Sequence, residues 1–249
     1  MFDLSGKTAL VTGANTGLGQ GMALALAQAG ADIALIGRTE PAQTLEQIAK
    51  TGVKSVSITA DLSRADAAAE IIAEAVSKLG RADILVNNAG IIKRNEAIDF
   101  TSEDWDAVMN VNLKTLFFLS QAFARHLEAD EKGGKIINIA SVLTFQGGIR
   151  VPAYTASKSG VGGLTRALAN EWAGKGINVN AIAPGYFKTN ITTALQADTK
   201  RNAEILSRIP SGRWGHPSDL GGAVVFLASA ASDYVQGITL PVDGGWLAR

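Results

Sequence analysis

The stretch TALVTGANTGLGQG, residues 8–21, decides the fold. Five β-prone residues run into a glycine-rich turn, T-G-x-x-x-G-x-G, and the turn runs into MALALAQAG, whose Ala and Leu favour a helix. Strand, tight turn and helix in that order open a βαβ unit. Gly13, Gly17 and Gly19 allow the backbone to turn sharply and approach a pyrophosphate, while the helix directs its unpaired N–H groups at the charge. A glycine motif alone is weak. At the first strand-to-helix turn of a repeating β-α chain, it points to a dinucleotide site.

The repeat is there. Short apolar runs alternate with Ala- and Leu-rich stretches of helical length. Candidate strands are TALVT (8–12), ADIALIG (31–37), SVSITA (55–60), DILVNN (83–88), KIINIA (135–140), NVNAIA (178–183) and GITLPV (237–242). None alternates cleanly between polar and apolar, as expected of parallel strands buried on both faces. The long segment from Glu103 to about Ala129 reads as a helix. These features predict an α/β, Rossmann-type, doubly wound parallel sheet of about seven strands with helices on both faces. No Pro/Ser-rich linker interrupts the series, so residues 1–249 read as a single domain. Residues 185–215 are polar, carry several basic side chains, and separate a strand from a helix starting near Ser218, as a substrate lid would.

Composition excludes several classes. Lys plus Arg equals Asp plus Glu at 23 each, leaving no global field for nucleic acid or an anionic membrane. With no Cys there is no disulfide framework and no thiol catalysis. With two His, a metal hydrolase would need clustered carboxylates that the sequence does not offer. His126 reads as the solvent edge of a helix, and His216 as structural or a substrate contact. The opening MFDLSGKTALVTG lacks a targeting pattern, and no apolar run is long enough to span a bilayer, so a cytoplasmic protein is expected.

YTASKSG, residues 154–160, puts a phenol and an ammonium four residues apart, on one face of a helix. Carbonyl reduction needs a proton at oxygen as hydride reaches carbon. A phenol of pKa about 10 is a poor base near neutrality unless a neighbouring cation lowers that value. Tyr154 is therefore the candidate acid/base and Lys158 its tuning cation. Ser141, ending the fifth strand, can hold the substrate oxygen beside the phenol, and Asn112 can hold a water relaying protons from Lys158. At the end of the second strand, IGRTEP places Gly37 where an acidic residue would read the adenosine ribose. Arg38 follows, able either to accept a 2′-phosphate or to stack on adenine. Asp61 can accept from the adenine amino group.

Together TGANTGLG, NNAG, Asn112, Ser141 and YTASK resemble the short-chain dehydrogenase/reductase family, in its order and spacing and over essentially the whole chain. The resemblance implies the catalytic set Asn112, Ser141, Tyr154 and Lys158. It implies a cofactor site of Gly13, Asn15, Thr16, Gly17, Leu18, Gly19, Arg38, Asp61, Leu62, Asn88, Ala89, Gly90, Pro184, Gly185 and Thr189, with Tyr154 and Lys158. A homotetramer, with VDGGW in its interface, is likewise implied. Within the family, KIINIASVLTFQGGIRVPAYTASKSG and SDYVQGITLPVDGGWLAR are similar to bacterial sugar-acid dehydrogenases, which are generally NAD-linked; Arg38 keeps NADP open. The substrate set is then Arg94, Ser141, Gln146, Arg150 and Tyr154, with Arg150 either gripping a carboxylate or structural. The nearest rivals are a 3-oxoacyl carrier-protein reductase or another sugar or polyol dehydrogenase; a non-catalytic nucleotide sensor is the remote one.

Overall fold

A computed structural model describes residues 1–249. Seven strands, β1 (Thr8–Thr12), β2 (Asp32–Gly37), β3 (Ser55–Thr59), β4 (Ile84–Asn87), β5 (Gly134–Ile139), β6 (Ile177–Pro184) and β7 (Thr239–Val242), lie in one sheet. Their order is β3-β2-β1-β4-β5-β6-β7, and every pairing is parallel. The helices are α1 (Gly17–Gln28), α2 (Ala42–Ala49), α3 (Ala68–Leu79), α4 (Ser102–Met109), α5 (Thr115–Ala129), α6 (Pro152–Trp172), α7 (Thr193–Ala197), α8 (Thr199–Arg208) and α9 (Gly221–Ala228). This is the expected doubly wound Rossmann-type architecture.

The apolar strands follow from the two-sided burial. Ala9 and Val11 of β1 face a core built with Met22, Leu26, Val224 and Leu227 of α1 and α9. Leu10, between them, faces the opposite core with Ile71, Ile72, Phe123 and Leu168. All five residues of β1 and all eight of β6 are buried, whereas the edge strands β3 and β7 are only partly covered. Pro241, which cannot donate to a ladder, sits in an edge strand, where that loss is tolerated.

Strand order reverses between β1 and β4, and this opens a crevice beyond the carboxyl ends of the central strands. The glycine loop leaves β1 there, NNAG leaves β4, Ser141 follows β5, and Pro184 ends β6.

Two local features depart from the sequence reading. The segment expected as one helix from Glu103 to Ala129 contains a five-residue π turn, Asn110–Lys114, in which the Thr115 N–H donates to the Asn110 carbonyl. Residues 185–215 are not uniformly loop. They carry a 3₁₀ turn (Asn190–Thr192), α7 and α8, and a parallel bridge between Phe187 and Gly215 closes the excursion at its base. No helix is long and apolar enough to cross a membrane.

Candidate active site

The glycine turn is shaped by contact. Gly13 and Gly17 have φ of 65° and 61°, which glycine adopts without strain. A side chain at Gly19 would strike the Gly13 carbonyl and the Asn88 amide. Asn88 was expected to line the cofactor. Its Nδ2 donates to the Thr12 and Gly13 carbonyls at 2.9 and 3.1 Å, so it also braces the turn. The Thr12 hydroxyl completes the brace, accepting from the Asn88 and Ala89 N–H groups, each at 2.9 Å. A Cβ added at Gly17 would lie 3.4 Å from the Thr189 methyl, so the start of the 185–215 excursion overlies the turn. Leu18 and Thr16 flank the turn, Leu62 is buried, and Pro184 and Gly185 lead from β6 into the excursion.

At the ribose-reading position, a Cβ on Gly37 would fall 2.6 Å from Asn15 Oδ1. Asn15 is itself held by Thr39, its Nδ2 donating to that residue's carbonyl and hydroxyl at 2.6 and 2.7 Å. An acidic side chain at 37 would have to displace Asn15 from its Thr39 contacts. Across from it, Asp61 is kept below its ordinary pKa by the Ser63 N–H and hydroxyl, and feels the charge of Arg38. One rim of the crevice thus carries a cation and no close carboxylate at position 37.

The chemistry-bearing cluster lies at the other end. Ser141 stands after β5 in extended backbone, and its Oγ accepts from the Leu143 N–H at 3.1 Å. That leaves its proton to be donated, and the Ser141 hydroxyl is close enough to Tyr154 to draw the phenol's pKa downward. Lys158 is buried, with Nζ 2.5 Å from the Ile139 carbonyl and 5.7 Å from the centre of the Tyr154 ring. A methyl at Gly90 would lie 3.3 Å from Asn112 Oδ1 and 3.8 Å from Lys158 Nζ, so Gly90, Asn112 and Lys158 share one small space. Sequence reasoning brought Asn112, Ser141, Tyr154 and Lys158 together, and the fold does the same.

Burial dominates the electrostatics of the cluster. Burial pushes the Tyr154 phenol above its ordinary pKa, while the Ser141 hydroxyl and the charge of Arg94 oppose it. The Lys158 ammonium, turned to the Ile139 carbonyl and pushed down to about 8 by burial, stands 5.7 Å from the centre of the Tyr154 ring, beside the phenol it was expected to tune. Asn112 was expected to hold a water. Its amide is committed to protein: Oδ1 accepts from the Ile91 N–H at 2.8 Å, and Nδ2 donates to the Ile91 carbonyl at 2.9 Å and to Ser157 Oγ at 3.2 Å. It clamps the chain leaving NNAG.

Of the arginines near the crevice, Arg94 is the one whose charge lowers the Tyr154 pKa. It reaches toward the excursion, Nη2 to the Ile191 carbonyl at 3.4 Å. Arg150 adopts a left-handed φ of 63°, and its Nε pairs with Glu96 Oε1 of the same subunit at 3.0 Å. Gln146 is half-buried on the turn between Ser141 and α6. His216 caps the turn before α9, Nδ1 lying 2.9 Å from Ser218 Oγ, and His126 is half-buried on α5; no three potential ligands cluster for a metal. Trp246 of VDGGW is buried within its own subunit against Tyr186 and Arg208.

Sequence reasoning missed Thr12, Thr144 and Ser157. The Thr12 and Thr144 hydroxyls each join two backbone segments, Ser157 links the Asn112 amide to the Tyr154 carbonyl, and only the S-x-x-T spacing of Ser141 and Thr144, a capping pattern, could have signalled one of them.

Comparison with known proteins places this geometry. The sequence family described as enoyl-(acyl carrier protein) reductase matches residues 13–247. The chain is 62% identical over 248 residues to 2-dehydro-3-deoxy-D-gluconate 5-dehydrogenase of Escherichia coli (strain K12), covering 100% of this chain and 98% of that protein. A structure from Agrobacterium tumefaciens, provisionally described as a 2-deoxy-D-gluconate 3-dehydrogenase with bound NADP, superposes with a TM-score of 0.96 at 58% identity, over 100% of this chain and 99% of that one. Gluconate 5-dehydrogenase from Burkholderia cenocepacia J2315, in complex with NADP and tartrate, superposes at 0.95 with 41% identity, over 100% and 98%.

Proposed function

This chain belongs to the short-chain dehydrogenase/reductase family, and from that premise we propose that it oxidises the C5 hydroxyl of 2-dehydro-3-deoxy-D-gluconate to the ketone, or runs the reverse reduction, with Tyr154 as the acid/base. It is an oxidoreductase dependent on NAD(P). The observation that carries the assignment is the Ser141–Tyr154 pair beside a buried Lys158, at the mouth of a cradle that only glycine permits.

The residues fit a nicotinamide dinucleotide. Gly13 and Gly17 take a left-handed backbone and Gly19 packs against the Gly13 carbonyl, which brings the turn tightly onto the start of α1, where unpaired N–H groups can meet a pyrophosphate, and Thr189 lies against that turn. Arg38 offers a cation to a 2′-phosphate, while position 37 offers no carboxylate to repel one, which supports use of NADP as well as NAD. When bound, the cofactor accepts or supplies a hydride at the carbon.

The chain's own groups handle the proton and the oxygen. Ser141 donates to the substrate oxygen and holds it beside Tyr154. With its pKa raised by burial, Tyr154 keeps its proton at neutral pH, ready to give it to a carbonyl oxygen. In the oxidative direction the phenolate takes the hydroxyl proton, helped by the Ser141 hydroxyl and the Arg94 charge. Lys158 supplies a buried positive charge next to that exchange. Asn112 fixes the Ile91 backbone and so the wall opposite α6. Arg94 is placed to hold the substrate carboxylate, and residues 185–215 act as the lid over it. The resemblance also supports a homotetramer in the cytoplasm.

Initial rates with NADH and NADPH against keto-sugar acids, neutral keto-sugars and 3-oxoacyl thioesters test the reading. A keto-sugar acid should be the preferred substrate, and Tyr154→Phe should lower kcat at least ~10²-fold with cofactor binding nearly intact. Preference for the thioester, or near-normal turnover by Tyr154→Phe, would overturn it.

A further inference from the structure

We propose that Thr144 is a positioning residue that locks the turn carrying Ser141 to the helix carrying Tyr154 and Lys158. The inference rests on the reading of Ser141 and Tyr154 as the reacting pair. The two residues stand on separate elements, one after β5 and one on α6, so something must fix the distance between them.

Thr144 Oγ1 bridges those elements. It accepts from the Ser141 N–H at 3.4 Å and donates to the Lys158 carbonyl at 2.9 Å. The Lys158 carbonyl is inside α6, where its second lone pair is available to a side chain. A second observation concerns the helix itself. A Cβ at Gly162 would lie 2.6 Å from the Thr144 methyl, whereas one at Gly163 would meet nothing within 4 Å. Glycine in a helix interior is unfavourable by about 1 kcal/mol relative to alanine. At position 162 the missing side chain is what lets the turn approach α6 closely enough for the hydroxyl to reach.

A second tie joins the same elements, from Lys158 Nζ to the Ile139 carbonyl, two residues before Ser141. That one depends on where the ammonium points, and the ammonium belongs to the site. The Thr144 tie engages no group that titrates or takes part in the chemistry, so it persists whatever Lys158 does.

Thr144→Val keeps the shape and removes the hydroxyl; Thr144→Ser keeps the hydroxyl. We expect Thr144→Val to lower kcat about 10-fold with KM and cofactor affinity within about 2-fold, and Thr144→Ser to retain most of the turnover. The pH midpoint of kcat for oxidation should rise in the Val variant, because Ser141 no longer stabilises the phenolate, while the other charges facing Tyr154, Lys158 along α6 and Arg94 from the segment after β4, stay in place. Gly162→Ala, which pushes the turn away with the hydroxyl intact, should act in the same direction and carries the test if Thr144→Val does not fold. Equal losses in the Val and Ser variants, or wild-type kcat in either Thr144→Val or Gly162→Ala, would overturn the lock. Tyr154→Phe, measured alongside, separates the two levels: if it remains active, the reacting pair is wrong, and if it is dead while Thr144→Val is normal, only the lock is wrong.

Discussion

Lys158→Met should make the apoprotein more stable at pH 7 while abolishing its activity. The Lys158 ammonium is buried, and burial lowers its pKa from 10.5 to about 8. At ~1.36 kcal/mol per pH unit, holding that charge in the folded protein costs ~3 kcal/mol wherever lysine is charged in both states, that is, below about pH 8. Methionine fills similar space without the charge. It forfeits the hydrogen bond to the Ile139 carbonyl, which returns ~1 kcal/mol and leaves a net gain of ~2 kcal/mol at pH 7. Between about 8 and 10.5 the folded parent has shed its proton and the unfolded chain has not, so parental stability rises with pH and the variant's advantage shrinks. By pH 9.5 the advantage should be close to zero. Urea unfolding of both apoproteins, followed by fluorescence at pH 7 and pH 9.5 at equal concentration, reads this difference. A Met variant less stable than its parent at pH 7, or an advantage that does not change with pH, would refute the claim that burial sets the state of Lys158.

The other expectations concern binding. Arg38→Ala should weaken NADPH by roughly 1.5–3 kcal/mol relative to NADH, measured as dissociation constants by fluorescence titration; equal losses would mean that the guanidinium stacks on adenine instead. Arg94→Met should raise KM for a keto-sugar acid about 10-fold or more and leave a neutral keto-sugar almost unaffected. Arg150→Met, which removes only an exposed pair with Glu96, should change neither KM by more than about 2-fold, with stability altered by less than ~1 kcal/mol.

Much of the architecture was legible because parallel strands buried on both faces must be continuous apolar runs, and those runs are short and sharply bounded. Leu10 and Val11 serve opposite cores, so neither position could be polar. The catalytic four were legible because each carries a functional group at the end of a strand or on the helix that follows. Arg94 and Arg150 were harder to rank. Arg150 is four residues from Tyr154 in sequence, but a left-handed turn points it to Glu96, whereas Arg94 arrives from the segment after β4. Nearness along the chain says little where the backbone reverses. The side-chain partners of Asn112 were hidden for a related reason: two of them are backbone groups of Ile91, which no side-chain pattern reveals. The state of Lys158 depends on burial and on a carbonyl, and both are products of tertiary packing.

The π turn at Asn110–Lys114 constrains this protein through insertions and deletions more than through substitutions. Each residue of an α-helix advances about 100° around the axis, so one extra residue in a turn rotates everything beyond it by that angle. Upstream of the turn, Val108 is buried; downstream, Leu116, Leu119, Phe123 and Leu127 form the stripe that packs on the sheet, and Asn112 must face the crevice between them. A smooth helix cannot satisfy all three orientations. Removing any single residue from 110–114 would restore regular hydrogen bonding yet swing either the amide or the apolar stripe out of alignment. Apart from Asn112, chains descended from this one can exchange side chains along the segment more readily than they can change its length by one.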